Sequence, residues 1–334
     1  MLGIKISRAG AEEVRRYLKE RRLLGKDYSI LRKNSFIYFP MLRRPTQEEG
    51  IKLEGSGAVL TYAKFRKGRH EGSVARDSEG RRMGYDIMGN IAIIDPETGS
   101  IRKLAKGIMA MHKNVETVLR KGGAVKGRYR IRKYVCVAGR RNYIAKYREN
   151  NCVFTFDLSR VFFSPRLAYE RKRISELARD GERVVVMFAG VGPFAIELAK
   201  LRKGAKVVAI ELNRAAYAYM LENIKANNVK NVTAECGDVK AVASKYRGFA
   251  DRIVMPLPKS SGSFIDSALL MAGRSCTIHY YTFCRRGEAW ASVESLRAMV
   301  RSNGGHFRHI MTREVRPYSP GSIEIAIDFM VRQA

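Results

Sequence analysis

Residues 183–194 read RVVVMFAGVGPF, an apolar run that breaks into a glycine turn, and no other stretch restricts the fold as tightly. Val184, Val185, Val186, Met187 and Phe188 have the length and β-branching of a strand buried on both faces of a parallel sheet. Gly190 and Gly192 let the chain turn sharply and bring its backbone against a ligand with no Cβ in between. Phe194 to Lys200 then reads as a helix, and Lys206 to Ile210 as a second apolar strand ending in Glu211. A carboxylate about twenty residues beyond the first glycine, at the end of the next strand, is placed to accept hydrogen bonds from a ribose. The segment is a βαβ unit for a nucleoside.

The dinucleotide fingerprint G-x-G-x-x-G needs a third glycine for close helix–strand packing beside a pyrophosphate. Ala195 holds that place here, so the turn by itself leaves a dehydrogenase open. The bulky pair Pro193 and Phe194 instead suits a cofactor without a pyrophosphate, S-adenosylmethionine. The expected cofactor contacts in this unit are Phe188, Ala189, Gly190, Val191, Gly192, Pro193, Phe194, Glu211 and Leu212.

Charge points to the partner. Lysine and arginine number 63 against 32 acidic residues, a formal charge of +31. An enzyme of a small metabolite gains nothing from such self-repulsion, whereas a polyphosphate explains it through steering and counterion release. The basic residues are spread along the chain, at Arg15, Arg16, Lys19, Arg21 and Arg22, at Arg128, Arg130, Arg132 and Lys133, and at Arg171, Lys172 and Arg173. That spread fits a long nucleic-acid footprint. No apolar run has the length of a membrane span, and MLGIKISRAG lacks the core of a signal peptide. The five cysteines show no C-x-x-C pair. They are expected as reduced thiols of a cytoplasmic protein, a monomer with no metal and no membrane contact.

Three segments follow from the pattern. Residues 1–67 are expected as a small domain with a helix over Ala11–Leu24, carrying Val14, Leu18 and Leu23, and a strand over Phe36–Pro40. Residues 68–84, almost without aliphatic side chains, are expected as a flexible basic linker. Residues 85–157 suggest an α+β domain with a helix over Ile101–Leu119 and a closing strand over Val153–Asp157. Residues 158–334 alternate strand and helix, then end in two segments that look antiparallel, His306–Val315 and Ile323–Val331. The expected fold class is α/β. Its core is a doubly wound, Rossmann-like sheet of the class I methyltransferase kind, preceded by small α+β RNA-binding domains.

Just before the glycine strand, Ser164 is placed as an N-cap and Pro165 in a first helical turn. The helix has an apolar stripe of Leu167, Ile174, Leu177 and Ala178, and Glu170 falls on that stripe. Desolvation there would make Glu170 a stronger base; an ion pair with a neighbouring arginine is the competing expectation. Asp238, after the strand Val232–Cys236, can accept from an adenine amino group while Val239 packs on the ring. Arg252–Met255 is a further strand, ending at Pro256. Gly190, Glu211, Asp238 and Pro256 all map to the carboxyl edge where open α/β sheets bind ligands.

FSPRLAYER, MFAGVGPFAIELAK, ELN, CGDV, DRIVMPLPKS, IHYY and YSPG together resemble the Trm5 family, the archaeal and eukaryotic tRNA (guanine-37-N1)-methyltransferases. The likeness is dense over roughly residues 85–330 and looser before them. It implies that a small tethered domain meets the outer corner of tRNA while the rest grips the anticodon stem-loop. It also implies Glu170 as general base and Arg130 as the arginine stabilising charge on guanine O6, acting on a base drawn out of its stack. Pro256 stands where the family often has Asn, which leaves a guanine contact either missing or made by a backbone carbonyl. Arg128, Arg132, Arg166, Arg171, Lys259 and Tyr318 are the expected RNA contacts. The alternatives are a wybutosine-pathway transferase on the same tRNA position and a non-catalytic RNA-binding protein.

Overall fold

The computed structural model describes residues 2–21, 23–25, 30–33, 35–43, 45–62, 74–76, 82–95, 101–123, 127, 129 and 131–332. The chain divides into two units, Met1–Val74 and Ala75–Ala334.

In the first unit, β1 (Leu2–Ser7), β2 (Leu31–Lys33), β3 (Phe36–Pro40) and β4 (Val59–Tyr62) form an antiparallel sheet ordered β2-β3-β1-β4. α1 (Ala11–Glu20) turns Ala11, Val14 and Leu18 inward, spaced as one helix face requires, toward Ile4, Ile6 and Phe39. The helix expected to reach Leu24 stops at Glu20, yet Leu23 and Leu24 remain buried. α2 (Gln47–Gly55) begins at a capping box, with Glu49 N donating to Thr46 Oγ1 and Thr46 N donating to Glu49 Oε2. Of the linker expected over residues 68–84, residues 68–73 and 77–81 lie outside the described residues, and Val74–Arg76 and the stretch from Arg82 are strands.

The second unit opens with a five-stranded sheet in the order β5 (Val74–Arg76), β6 (Arg82–Met88), β7 (Ile91–Ile94), β8 (Thr117–Lys121) and β9 (Tyr134–Gly139). β7 and β8 are parallel, with α3 (Ile101–Met111) between them in the chain. The helix expected over Ile101–Leu119 therefore ends at Met111, and Leu119 belongs to a central strand. Both faces of that strand are covered: Val118 lies with Ile94 and Ile108, Leu119 with Ile91 and Phe156. A continuous apolar run of this kind reads equally well as helix or strand.

β10 (Ile144–Glu149) and β11 (Cys152–Asp157) form a separate hairpin. A 3-10 turn (Pro165–Leu167) and α4 (Ala168–Leu177) follow. Then come β12 (Arg183–Met187), α5 (Pro193–Leu201), β13 (Lys206–Glu211), α6 (Arg214–Ala226), β14 (Val232–Cys236) and α7 (Val239–Val242). The remainder is β15 (Ala250–Met255), α8 (Ile265–Met271), β16 (Ala272–Arg285), α9 (Ala289–Ser302), β17 (His306–Ser319) and β18 (Ser322–Arg332). The sheet order is β14-β13-β12-β15-β16-β18-β17. β14 to β16 run parallel, and β18 is antiparallel to both its neighbours. The chain leaves β12 toward β13 and later returns to β15 on the other side, so a topological switch point lies at the carboxyl end of β12.

The strand expected over Val153–Asp157 exists, but it does not close the five-stranded sheet. Asn227 accepts from Val153 N (2.9 Å) and donates to its carbonyl (2.6 Å), and Asn223 does the same for Thr155 at 2.8 and 3.3 Å. Two buried amides, one on α6 and one at its C-cap, thus satisfy the open edge of β11 and tie the hairpin to the helix behind the glycine turn. One apolar core continues from Met88 and Ile91 through Phe154 and Phe156 to Val184, Val186 and Ala195. Among the described residues, no helix is long and apolar enough to cross a membrane.

Candidate active site

The glycine turn is built as its residues dictate. Gly190 has φ +60°, Gly192 +89° and Phe188 +56°, all in the left-handed region. A Cβ on Gly192 would lie 2.9 Å from Ile196 Cδ1 and from Met220 Cγ, so the third-glycine role of close helix packing has passed to this position. A Cβ on Gly190 would find only Phe162 O, at 3.9 Å, which leaves open space above the turn. Gly192→Ala should therefore cost about 1–3 kcal/mol and weaken cofactor binding at least roughly tenfold. Thermal melts and calorimetry would read this; an unchanged affinity would mean the turn does not form the site.

Glu211 accepts from Gly190 N and Asn213 N, both at 2.7 Å. Burial pushes its carboxyl up, against the pull of the backbone N–H groups of Asn213, Gly190 and Leu212. The acid at the end of β13 thus holds the turn in place, and each of its oxygens keeps a further lone pair. Asp238 caps α7, accepting from Lys240 N at 3.0 Å, and Val239 is buried beside it. Ala189, Val191, Pro193 and Phe194 are buried too, so these residues can offer a ligand little beyond backbone. Pro256 is half-buried just past β15 and has no polar side-chain atom to give a base. These loops share the carboxyl edge expected for them.

Glu170 lies on the inner face of α4 with 2% exposure. Its Oε2 accepts from Arg173 Nε (3.1 Å), Arg173 Nη2 (2.8 Å) and the Tyr281 hydroxyl (2.8 Å). Its Oε1 has no hydrogen bond and lies 3.3 Å from Arg313 Nη1. Glu170 is buried, and it makes the ion pair with a neighbouring arginine that the sequence set against its reading as a base. Of the helix stripe, Leu167, Ile174 and Ala178 are buried, but Leu177 is 46% exposed. Ser164 makes no side-chain cap; its carbonyl instead accepts from Arg171 Nη1 and Nη2, both at 3.2 Å.

The network continues inward. Arg173 donates to Asp328 at 2.5 and 3.3 Å, and Asp328 Oδ1 lies 2.7 Å from His279 Nδ1. His279 Nε2 lies 2.7 Å from Arg252 Nη1, and Arg252 is held by Glu182 at 2.7 and 2.9 Å. Arg252 can only donate, so His279 Nε2 accepts and Nδ1–H donates to Asp328. Burial favours this neutral imidazole, pushing His279 down despite Asp328. Burial opposes the charge of Arg173, but the Asp328 hydrogen bond, Tyr281 and Glu170 raise it above its ordinary value. Burial also pushes the Tyr281 phenol well up, reinforced by the Glu170 charge. The sequence did carry a signal: His279 and Tyr281 stand two apart in an apolar strand, hence on one face, and Asp328 interrupts another.

The expected RNA contacts divide. Arg128 and Arg130 lie outside the described residues. Arg166 (51% side-chain exposure, near Asp86 at 3.0 Å) and Lys259 are exposed, as is Tyr318, stacked on Phe283 at 3.9 Å. Arg132 is half-buried and donates to Gly123 O at 2.7 Å. Arg171 is a correction. It is 2% exposed, pairs with Glu149 and Glu197, and stands over the Phe163 ring, so it faces the core rather than a nucleic acid.

Burial, together with the Glu149 hydrogen bond and charge, pushes the Glu197 carboxyl up from 4.5 to about 9, against Arg171 and Asn150. Between those values the native state keeps a proton that the unfolded chain has released, so stability falls as pH rises through that window. Glu197→Gln should melt higher than the parent at pH 8, by roughly 5 °C, and equal it near pH 4. Parallel pH-dependent melting curves would contradict this.

Residues 145–302 match the TRM5/TYW2 methyltransferase domain and residues 3–49 the tRNA methyltransferase 5 N-terminal domain. The chain is 36% identical over 337 residues to the tRNA (guanine(37)-N(1))-methyltransferase Trm5b of Pyrococcus abyssi, with 99% of each chain covered. Its identity to the Trm5b of Methanocaldococcus jannaschii is 28%, again over 99% of each. The crystal structure of Pyrococcus abyssi Trm5b aligns with a TM-score of 0.69 at 34% identity, and a complex of aTrm5 and tRNALeu with 0.66 at 27%, both over 99% of each chain. By both family matches and by the end-to-end identity to Trm5b, the chain belongs to the Trm5 family of tRNA methyltransferases.

Proposed function

We propose that the protein transfers the methyl group of S-adenosylmethionine to N1 of guanosine 37 in tRNA, with Glu170 as the base. The observation that carries the assignment to Glu170 is its divided carboxylate: one oxygen takes three hydrogen bonds, while the other takes none and faces Arg313 at 3.3 Å. The end-to-end likeness to Trm5b supports guanine 37 as the target, and the +31 charge supports a polyanionic partner.

The open space at Gly190 and the Glu211 carboxylate fit a nucleoside there, with Asp238 and Val239 toward its adenine. When bound, S-adenosylmethionine supplies an electrophilic methyl group. Guanine N1 carries a proton and is a poor nucleophile. Glu170 Oε1 takes that proton as the N1–H bond breaks; the electron pair left on nitrogen forms the bond to the methyl carbon, the S–CH3 bond breaks with its pair returning to sulfur, and S-adenosylhomocysteine is the leaving group. Arg130, by its likeness to the family, neutralises the charge that develops on O6. Pro256 has only its backbone carbonyl to offer the base. All five cysteines are unpaired, which fits a reducing cytosol.

The test uses labelled S-adenosylmethionine and a tRNA transcript with guanosine or adenosine at position 37, the modified nucleoside being identified by mass. One methyl on N1, absent with adenosine, is the expected product. An aminocarboxypropyl mass, or equal labelling of both transcripts, would overturn the reading.

A further inference from the structure

We propose that Tyr281 and Asp328 are positioning residues for methyl transfer: they hold Oε2 of Glu170, so that Oε1 is the oxygen that receives the proton of the target base. The inference rests on the reading of Glu170 as that base.

Tyr281 acts directly, its hydroxyl donating to Oε2 at 2.8 Å. Asp328 acts through Arg173, gripping the guanidinium whose other edge donates twice to Oε2. His279, Arg252 and Glu182 extend the chain from Asp328 across β16 and β15 to the entry of β12. Asp328 and His279 are register partners on adjacent antiparallel strands, so sheet pairing sets their contact. Glu170, Tyr281, His279 and Asp328 are at most 3% exposed. In such surroundings a side-chain network holds its members in one geometry. Oε1, by contrast, takes no hydrogen bond and faces Arg313 at 3.3 Å.

The other charges near α4 are accounted for. Arg313 of β17 faces Oε1 at 3.3 Å and stacks its guanidinium on Tyr169. Arg171, next along the helix, is turned to Glu149 and to Glu197 of α5. Lys200 of α5 donates to Asn151 O. Tyr281, Arg173 and Arg313 are thus the groups facing the Glu170 carboxylate, with Asp328 and His279 behind Arg173.

The two residues should move the pH–rate profile in opposite directions. Tyr281→Phe removes a hydrogen bond to the charged carboxylate, which favours its neutral form. The pH of half-maximal single-turnover rate should then rise by about one unit. Asp328→Asn leaves the Arg173 charge to Glu170 alone, so the midpoint should fall. The plateau rate should drop roughly tenfold, because a more strongly held carboxylate is a weaker base.

The experiment measures single-turnover methylation of the guanosine-37 transcript against pH for the full-length parent, both variants and Glu170→Gln. Affinities for S-adenosylmethionine and tRNA are measured alongside. Opposite midpoint shifts with affinities within about twofold of the parent are the expected result. Profiles that superimpose on the parent, or shift in the same direction, would overturn the proposal. With Glu170→Gln inactive, only the proposal would then fall; with Glu170→Gln active, the reading of Glu170 falls as well. If Asp328→Asn does not fold, the presence or absence of the upward shift in Tyr281→Phe decides.

Discussion

Glu170→Gln is expected to lower the single-turnover rate of methyl transfer by roughly 10²–10⁴-fold while cofactor and tRNA affinities stay close to those of the parent. The amide keeps the shape of the side chain, and its oxygen can still accept from Tyr281 and Arg173. What it loses is the ability to take a proton at the Oε1 position. It also removes the negative charge between Arg173 and Arg313. Arg173 keeps Asp328 as a counter-ion, so the stability cost should be on the order of 1–3 kcal/mol rather than that of an orphaned buried charge. Affinities measured below the melting temperature separate the two effects. A variant that folds, binds both ligands and turns over at the parental rate would remove Glu170 from the mechanism.

Arg171→Met should be the most damaging change to stability, about 3–5 kcal/mol. That is a large part of the 5–15 kcal/mol that ordinarily separates a folded domain from its unfolded state. The guanidinium pairs with Glu149, lies 3.4 Å from Glu197 and covers the Phe163 and Phe194 rings. Methionine replaces the aliphatic stem but leaves the buried Glu149 carboxylate without its cation. The melting temperature should fall by about 10 °C or more, with tRNA affinity and its salt dependence unchanged below the transition. Arg166→Ala should do the reverse, holding its melting temperature and reducing the salt slope of tRNA binding by about one. Weaker tRNA binding by Arg171→Met at an unchanged melting temperature would restore the RNA contact that the sequence suggests for it.

Arg171, Lys172 and Arg173 show where legibility ends. In the sequence they form one basic cluster beside a helix stripe. In the structure Lys172 is on the surface, pairing with Glu176 on the next turn, while its two neighbours are interior. Helical spacing puts Glu170, Arg173 and Ile174 toward one side. Spacing cannot say that Glu149 and Asp328, 22 and 155 residues away, will arrive to neutralise the arginines. Leu177 fails for the mirror reason: it has the right period, but it lies at the end of α4 and is 46% exposed. The segment 101–119 failed because a short apolar run covered on both faces carries no period to separate strand from helix.

Local chemistry by itself determined the βαβ unit, because a run of branched residues, two glycines and an acid at the next strand end leave the backbone few alternatives. It also determined the polyanionic partner, since +31 is a property of composition and does not depend on folding. Tertiary structure alone decided which charges are exposed and which are buried. A buried charge persists only where counter-charges and hydrogen bonds converge on it. The groups that converge on Glu170 come from α4 and from three antiparallel strands at the far end of the chain, β16, β17 and β18. Their alignment is a consequence of sheet register, which no stretch of residues states on its own.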